Sequence, residues 1–589
     1  MQYSLQKQKA LGAFYTPSSL SEYLAKQTLS MKKNEKDKEY VVLDPAVGES
    51  ALLYAFLSES KRKGLHTGYV GIDIEQKAIN VSKEIFSAEN MTSSFIHCDA
   101  LYPCQEMKSV DGWTELSKKY FPNGIDFIVC NPPWGADKDA YKKLSVDFKT
   151  AKGQFDIYDL FIELCIRNLN SNGCFGFIVP DSIYNEEHKP VREFLFENTT
   201  IRQIVRLGEG IFPDINIAVS LIFGIKCICN NSHKISCAHL TNYLKNKVIR
   251  GEETLDTAIT QCTCMIPSKM MVDNGYAFYT DITRRDSALT QILNSCQKIS
   301  DVTKSQRGVE LSKKGVVTKC PCCQKYFPAQ RNINESIIKC PHCQHEGLVS
   351  SFSSRTIISN EPTLGCKKII VGKDVYRYGT SAKQYIELDI RGINYKGQAL
   401  YHGPKILVRK TGVGITAGID YGDCLTNQVV YILKRKNNID PIVTNEVILA
   451  VLNSRIITYY IIKTMGSNGW KTHAYLSQKS VASLPFPNID VNDADTRNIL
   501  TQITEIVRKN SKVNGDNFST DADARIEHLI AKLFGIRKSD YEVIYKAISE
   551  VQQMIPFKRL LKVSINGAPD KPCGVGRADA NPKLLLNDT

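Results

Sequence analysis

Two consecutive prolines at the end of an apolar run constrain this chain more than any other feature of its sequence. Phe127-Ile128-Val129-Cys130 are apolar and partly β-branched, so they read as a buried strand. Pro132 and Pro133 lack the amide hydrogen that a ladder or helix needs, so the backbone must turn at Asn131-Pro132-Pro133-Trp134-Gly135. The turn puts a polar side chain, a backbone carbonyl and a large aromatic at the carboxyl end of a strand, which is where open α/β sheets place their ligands. Asn131 and the Pro132 carbonyl offer acceptors and Trp134 a flat face. Together they suit a planar molecule carrying an exocyclic amino group. A lone turn of this kind commonly does no more than end a strand, so its weight rests on what surrounds it.

Upstream, Val41 to Leu53 reads as strand, small-residue turn and helix, with Asp44 at the strand end and Ala46 and Gly48 in a turn that lets a ligand approach the backbone. About 20 to 25 residues beyond that turn, Tyr69-Val70-Gly71-Ile72-Asp73 gives a second strand ending in an acid, the interval at which nucleotide-binding folds place a ribose contact. A third strand, Ser94 to Cys98, ends at Asp99, and the fourth ends at Asn131. Any one of these acids could simply cap a helix. In succession, separated by helical patterns, they describe one edge of a parallel sheet. Beyond lie a helix over Asp159–Cys165, strands at Gly173–Pro180, near Ile204-Val205 and over Ala218–Ile225, and a polar stretch opening with Asn230-Asn231-Ser232.

In this order the motifs resemble those of the gamma class of DNA amino-methyltransferases from restriction-modification systems: Phe14-Tyr15-Thr16-Pro17, then Asp44-Pro45-Ala46-Val47-Gly48, Asp73, Asp99 and Asn131-Pro132-Pro133-Trp134. The resemblance implies a Rossmann-like α/β domain that uses S-adenosylmethionine, followed by a mixed α+β target-recognition domain. Carried over by position, Tyr15, Thr16 and Pro17 would cover the cofactor, Asp44, Ala46 and Gly48 would form its methionine pocket, Asp73 would hold the ribose and Asp99 the adenine amino group. Asn131 and Pro132, stiffened by Pro133, would grip the target amino group, Trp134 would stack on the target base and Phe212 would pack on its other face. Asn as first residue of that turn implies adenine N6 as the target, in a base flipped out of double-stranded DNA. The motif departs from the family at Glu49-Ser50, where a second glycine is often found. Thirteen residues precede Phe14, so the nuclease domain that related fused enzymes carry there is not expected, and cleavage would belong to a separate restriction endonuclease or defence-complex subunit. Methylation of RNA or of a protein glutamine, and a DNA-binding role that is active only within a multi-protein complex, are the rival readings.

Cys320, Cys323, Cys340 and Cys343 form two Cys-x2-Cys knuckles sixteen residues apart, an arrangement that presents four thiolates to Zn²⁺. A closed four-sulfur site is structural, so these residues predict a zinc ribbon at 318–346 inserted in the recognition domain, touching DNA through Lys319, Lys325 and Arg331. His342 and His345 are weaker ligand candidates. Softer resemblances to recognition domains run from Arg307-Gly308 to Pro487, with Lys373, Arg377, Arg409 and Lys410 as candidates for phosphate contact.

The expected organisation is a catalytic domain over 1–230, a connecting segment over 231–300, the target-recognition domain over 301–495, a helical region over 496–560 and a mobile tail over 561–589. A chain of 589 residues needs two or three cores. Many of its 19 cysteines, such as Cys130, Cys165 and Cys174, lie singly in apolar segments, which fits a reduced, cytoplasmic protein better than a disulfide-bonded one. No apolar run is long enough to span a bilayer, and a net charge of +14 favours an anionic partner.

Overall fold

The computed structural model describes residues 16–33, 35, 38–102, 112–135, 141, 147–212, 217–228, 233–312, 314–329, 337–412, 414–465, 476–511 and 518–549. Tyr15, Arg331 and the segment 561–589 named above therefore lie outside the described residues. The chain forms two compact units, Met1–Ser287 with Lys463–His473, and Ala288–Ile462 with Ala474–Thr589.

The first unit is built on nine strands: β1 (Glu39–Asp44), β2 (His66–Asp73), β3 (Ser93–His97), β4 (Ile125–Cys130), β5 (Leu169–Pro180), β6 (Thr200–Gly208), β7 (Val219–Ile225), β8 (Lys234–His239) and β9 (Thr263–Pro267). They lie in the order β3-β2-β1-β4-β5-β7-β6-β8-β9. The first five strands run parallel to one another, and every residue of β4 is buried, the one acid, Asp126, being paired with Lys32 at 2.9 Å. Helices α1 (Ser18–Ser30), α2 (Ala51–Arg62), α3 (Gln76–Ala88), α4 (Gly112–Tyr120), α5 (Ile157–Asn168), α6 (Lys189–Asn198) and α7 (Asn242–Ile249) accompany the sheet. α1 packs on β4, β5 and β7. It comes so close at Gly176 that a Cβ there would sit 2.3 Å from the Thr28 hydroxyl.

From β1 the chain winds outward through β2 to β3, then crosses back to place β4 on the opposite side of β1. The order reverses between β1 and β4, and such a reversal opens a crevice at the carboxyl ends of the strands. Asp44 and Asn131 flank that crevice. The antiparallel β7 then inserts between β5 and β6.

The sheet does not stop near residue 230. β8 pairs with β6 and β9 with β8, so the polar stretch from Asn230 separates two strands of one sheet, and the unit runs on to Ser287. β8 mixes buried and partly exposed positions, a weaker sequence signal than the solidly apolar strands before it.

The second unit holds an antiparallel sheet of Thr303–Arg307, Val430–Arg435, Lys405–Arg409 and Ala417–Asp420, and a mixed sheet of Ile358–Ser359, Gln384–Glu387, Cys366–Ile370 and Leu425–Thr426. Between their strands in sequence lie the small sheets carrying the cysteine knuckles. Helices Asn445–Leu452, Ala494–Asn510, Thr520–Leu533 and Lys538–Ser549 complete it. A buried ionic cluster ties helix Thr520–Leu533 to the start of helix Arg455–Thr464 and to the loop ahead of strand Gln384–Glu387: Arg455 donates to Asp523 at 2.9 Å and to Glu527 at 3.1 Å, and Arg377 pairs with the same Asp523. Among the described residues no single helix is long and apolar enough to cross a membrane.

Candidate functional site

The edge formed by the ends of β1 to β4 is laid out by hydrogen bonds that the sequence specifies locally. After β1 the chain enters the turn Asp44–Ser50, where the Asp44 carboxylate accepts from Ala46 N at 3.0 Å. Gly48 takes φ +51°, and a Cβ placed on it would meet nothing within 4 Å, so the turn presents bare backbone to open space. Its N–H donates to Asp73 Oδ2 at 2.8 Å, and the other oxygen of Asp73 accepts from Glu75 N at 2.9 Å. Asp73 thus braces the glycine turn against the end of β2 as well as standing where a ribose contact was expected. Next to it, past the end of β2, the apolar Ile74 is half exposed.

Asp99, two residues past β3, accepts from Leu101 N at 2.9 Å and from the Tyr141 hydroxyl at 2.8 Å. The Tyr141 ring stacks on Tyr102 with centroids 5.7 Å apart and planes inclined by 13°. Burial raises all three carboxyls above the usual aspartate range, Asp44 to about 8.

The proline turn is held at both ends. At its start, Asn131 Nδ2 donates to the Thr16 hydroxyl at 3.1 Å, across 115 residues of sequence. The Thr16 hydroxyl does not cap the helix that follows it: α1 starts behind Pro17, whose carbonyl accepts from Leu20 N and Ser21 N, with no side-chain cap. At the other end Gly135, at φ +63°, donates its N–H to both oxygens of Asp156 at 3.1 and 3.2 Å. Asp156 caps α5 by accepting from Ile157 N, while Asp159 accepts from Asp156 N in return and pairs with His188 Nδ1 at 2.8 Å.

Trp134 and Phe212 are both buried and pack edge to face, centroids 5.6 Å apart and planes at 83°. They were expected on opposite faces of a base. Here the two rings touch one another, so a base can enter between them only after they part.

The sequence did not point to Asp156, Tyr141 or Tyr102. The Asp156 and Asp159 pair ahead of an apolar run does announce a helix start, but nothing in that pattern says that the cap also grips Gly135.

In the second unit the four knuckle cysteines converge. Their Sγ atoms all lie within 4.8 Å of one another, with Cys320 to Cys343 at 3.7 Å and Cys323 to Cys340 at 3.8 Å. The two knuckles repeat one geometry: Gln324 and Gln344 sit at φ 59° and 62°, each donating its backbone N–H to the first cysteine's carbonyl and its side-chain amide to the carbonyl of the proline that follows. His342 is engaged elsewhere, its Nε2 lying 3.0 Å from the Tyr326 carbonyl. The phosphate candidates divide by exposure. Lys373 is exposed, and Lys319, Lys325, Arg409 and Lys410 are half-buried. Arg377 is turned inward to Asp523 and the Asn453 carbonyl, which removes it from that set.

Residues 19–212 match the family described as Eco57I restriction-modification methylase, and residues 367–486 match the TaqI-like C-terminal specificity domain. The Type II methyltransferase M.BanIII of Aneurinibacillus aneurinilyticus is 21% identical over 590 residues, covering 90% of this chain and 98% of that protein. The Type II methyltransferase M.VspI of Vibrio sp. (strain 343) is 26% identical over 249 residues, 40% of this chain and 53% of that one. Among solved structures, the Type IIL restriction-modification enzyme MmeI in complex with DNA superposes with a TM-score of 0.55 at 14% identity, over 94% of this chain and 80% of that chain, which establishes a shared fold. With a methylase match in the first unit, a specificity-domain match in the second and a full-length relative spanning both, the chain is a DNA methyltransferase similar to those of restriction-modification systems.

Proposed function

We propose that the chain methylates N6 of adenine at a specific site in double-stranded DNA, using S-adenosylmethionine. The observation that carries this reading is the position of Asn131: it stands at the crevice where the strand order reverses, one strand away from the Gly48 turn.

The residues present suit the cofactor. Gly48 leaves room against bare backbone, Ile74 offers an apolar face, and Asp44, Asp73 and Asp99 supply acceptors for an ammonium group, ribose hydroxyls and an adenine amino group. S-adenosylmethionine would bring a methyl group activated on a sulfonium. The chain's own residues do the rest. Asn131 Oδ1 and the Pro132 carbonyl accept from the target amino group, localise its lone pair and aim it at the donor. Trp134 and Phe212, once parted, offset the few kcal/mol lost when the base leaves the stack.

The knuckle cysteines fit a closed zinc site. Four sulfurs at ~2.3 Å from a tetrahedral Zn²⁺ stand about 3.8 Å apart. The 3.7 and 3.8 Å pairs already have that spacing. With all four positions taken by sulfur, Cys320, Cys323, Cys340 and Cys343 would fold the ribbon and take no part in methyl transfer. The specificity-domain match favours DNA over RNA or a protein glutamine as substrate. The mark would shield a recognition site from a cognate endonuclease or defence-complex subunit.

The test is transfer of label from tritiated S-adenosylmethionine into unmodified DNA, followed by digestion to nucleosides and mass spectrometry. N6-methyldeoxyadenosine is expected. N4-methyldeoxycytidine, or label entering only RNA or protein, overturns the reading.

A further inference from the structure

The Asn131 side chain has two ends of opposite character, a carbonyl that accepts and an NH2 that donates. The target amino group has hydrogens to give, so only the carbonyl end can hold it. An amide free to rotate about its last torsion would present the wrong end part of the time, and two donors facing each other repel. What fixes the amide must therefore accept a hydrogen bond from Nδ2. In this structure the Thr16 hydroxyl accepts from Nδ2 at 3.1 Å.

That hydroxyl is not spent on the helix it precedes. α1 begins with the Pro17 carbonyl accepting from Leu20 N and Ser21 N, and no side chain caps it. A threonine just ahead of a helix ordinarily serves that helix. Here its oxygen is directed across the sheet edge to the proline turn instead.

We propose that Thr16 is a positioning residue for methyl transfer: by taking the Asn131 NH2 it turns the amide so that Oδ1 faces the target amino group. The proposal rests on the methyltransferase reading above and goes beyond the role of covering the cofactor that the motif's resemblance implies. It also gives the N-terminal motif a reason to lie beside the catalytic turn, since the segment that flanks the donor then orients the acceptor's holder.

Thr16→Val keeps the shape and removes the oxygen, whereas Thr16→Ser keeps the oxygen. The experiment measures single-turnover label transfer from saturating tritiated S-adenosylmethionine to unmodified plasmid DNA, with cofactor affinity measured separately by calorimetry and folding checked by thermal melting. Losing the hydrogen bond that turns the amide should slow transfer by about 5- to 100-fold in Thr16→Val. Cofactor affinity should change by less than about threefold, and Thr16→Ser should recover at least half of the rate, as one retained hydrogen bond implies. A Thr16→Val rate within twofold of the unmodified chain overturns the proposal. So does a loss that is matched by weakened cofactor binding, which would make Thr16 a cofactor contact, or a Thr16→Ser variant as slow as Thr16→Val. An unmodified chain that labels no DNA at all overturns the enzyme reading itself, and this proposal with it.

Discussion

The glycine turn contains one residue whose geometry can be tested by stability alone. Ser50 stands where related sequences often carry glycine, at φ +64°, in the left-handed region that a Cβ disfavours by about 1–2 kcal/mol. It occupies the N-cap position of α2, yet in this conformation its hydroxyl caps nothing, and Oγ is buried with no hydrogen-bond partner among the described residues. A buried hydroxyl left in that state costs about 1–3 kcal/mol. Ser50→Gly removes both penalties and gives back about 0.5–1 kcal/mol in chain entropy of the unfolded state. The expected net stabilisation of the first unit is about 1–4 kcal/mol. Ser50→Ala, which keeps the Cβ, should recover only the share due to the hydroxyl. Trp113 and Trp134 are both buried in the first unit, so their fluorescence during urea unfolding reads that unit. Ser50→Gly should raise the midpoint with the slope unchanged. If it lowers or fails to move the midpoint, the turn does not have the backbone described, and the argument that it offers bare backbone to a cofactor fails with it.

Two further outcomes follow from the chemistry of the sites. The ribbon's buried core consists of Cys320, Phe327, Cys340 and Phe352, so two of its four members belong to the cysteine cluster proposed to hold zinc. Structural zinc contributes about 10–16 kcal/mol of apparent binding energy in small domains. Cys340→Ser should therefore abolish the bound zinc seen by elemental analysis and open residues 316–356 to trypsin, while cofactor binding persists; a metal-free chain that stays resistant contradicts this. For Asp44, burial raises the folded-state value to about 8, well above that of an unfolded aspartate, so its contribution to stability is full below about pH 4 and is lost as pH rises towards about 8. A cofactor ammonium needs the ionised carboxylate, so affinity for S-adenosylmethionine should rise by up to about tenfold per unit as pH approaches 8 and then fall as the ammonium itself loses its proton. Asp44→Asn should flatten both trends, and a flat profile in the unmodified chain would refute the assignment.

What could be read from the sequence was local. β1, β2 and β4 are apolar runs that stop at Asp44, Asp73 and Asn131, and a run that stops at a polar residue beside a turn shows itself without knowledge of its neighbours. The knuckles were legible for the same reason, since ligand spacing is a property of short segments. The rest depends on contacts between distant residues. Thr16 meets Asn131, Asp156 meets Gly135 and Tyr141 meets Asp99 only once the sheet has formed. The inward turn of Arg377 was equally hidden, because its partner Asp523 lies 146 residues further along. A basic residue in a recognition domain looks the same in sequence whether it faces phosphate or a buried acid. The edge-to-face contact of Trp134 and Phe212 adds what no motif could state: the gap for a base is closed in this conformation.

The central claim is that Asn131, at the reversal of strand order, directs a methyl group onto adenine. It is tested most directly by mapping modified bases in genomic DNA from cells that express the chain or its Asn131→Ala variant. N6-methyladenine should appear in one sequence context with the unmodified chain and be lost with the variant. An unmarked genome, or a mark that survives Asn131→Ala, would contradict it.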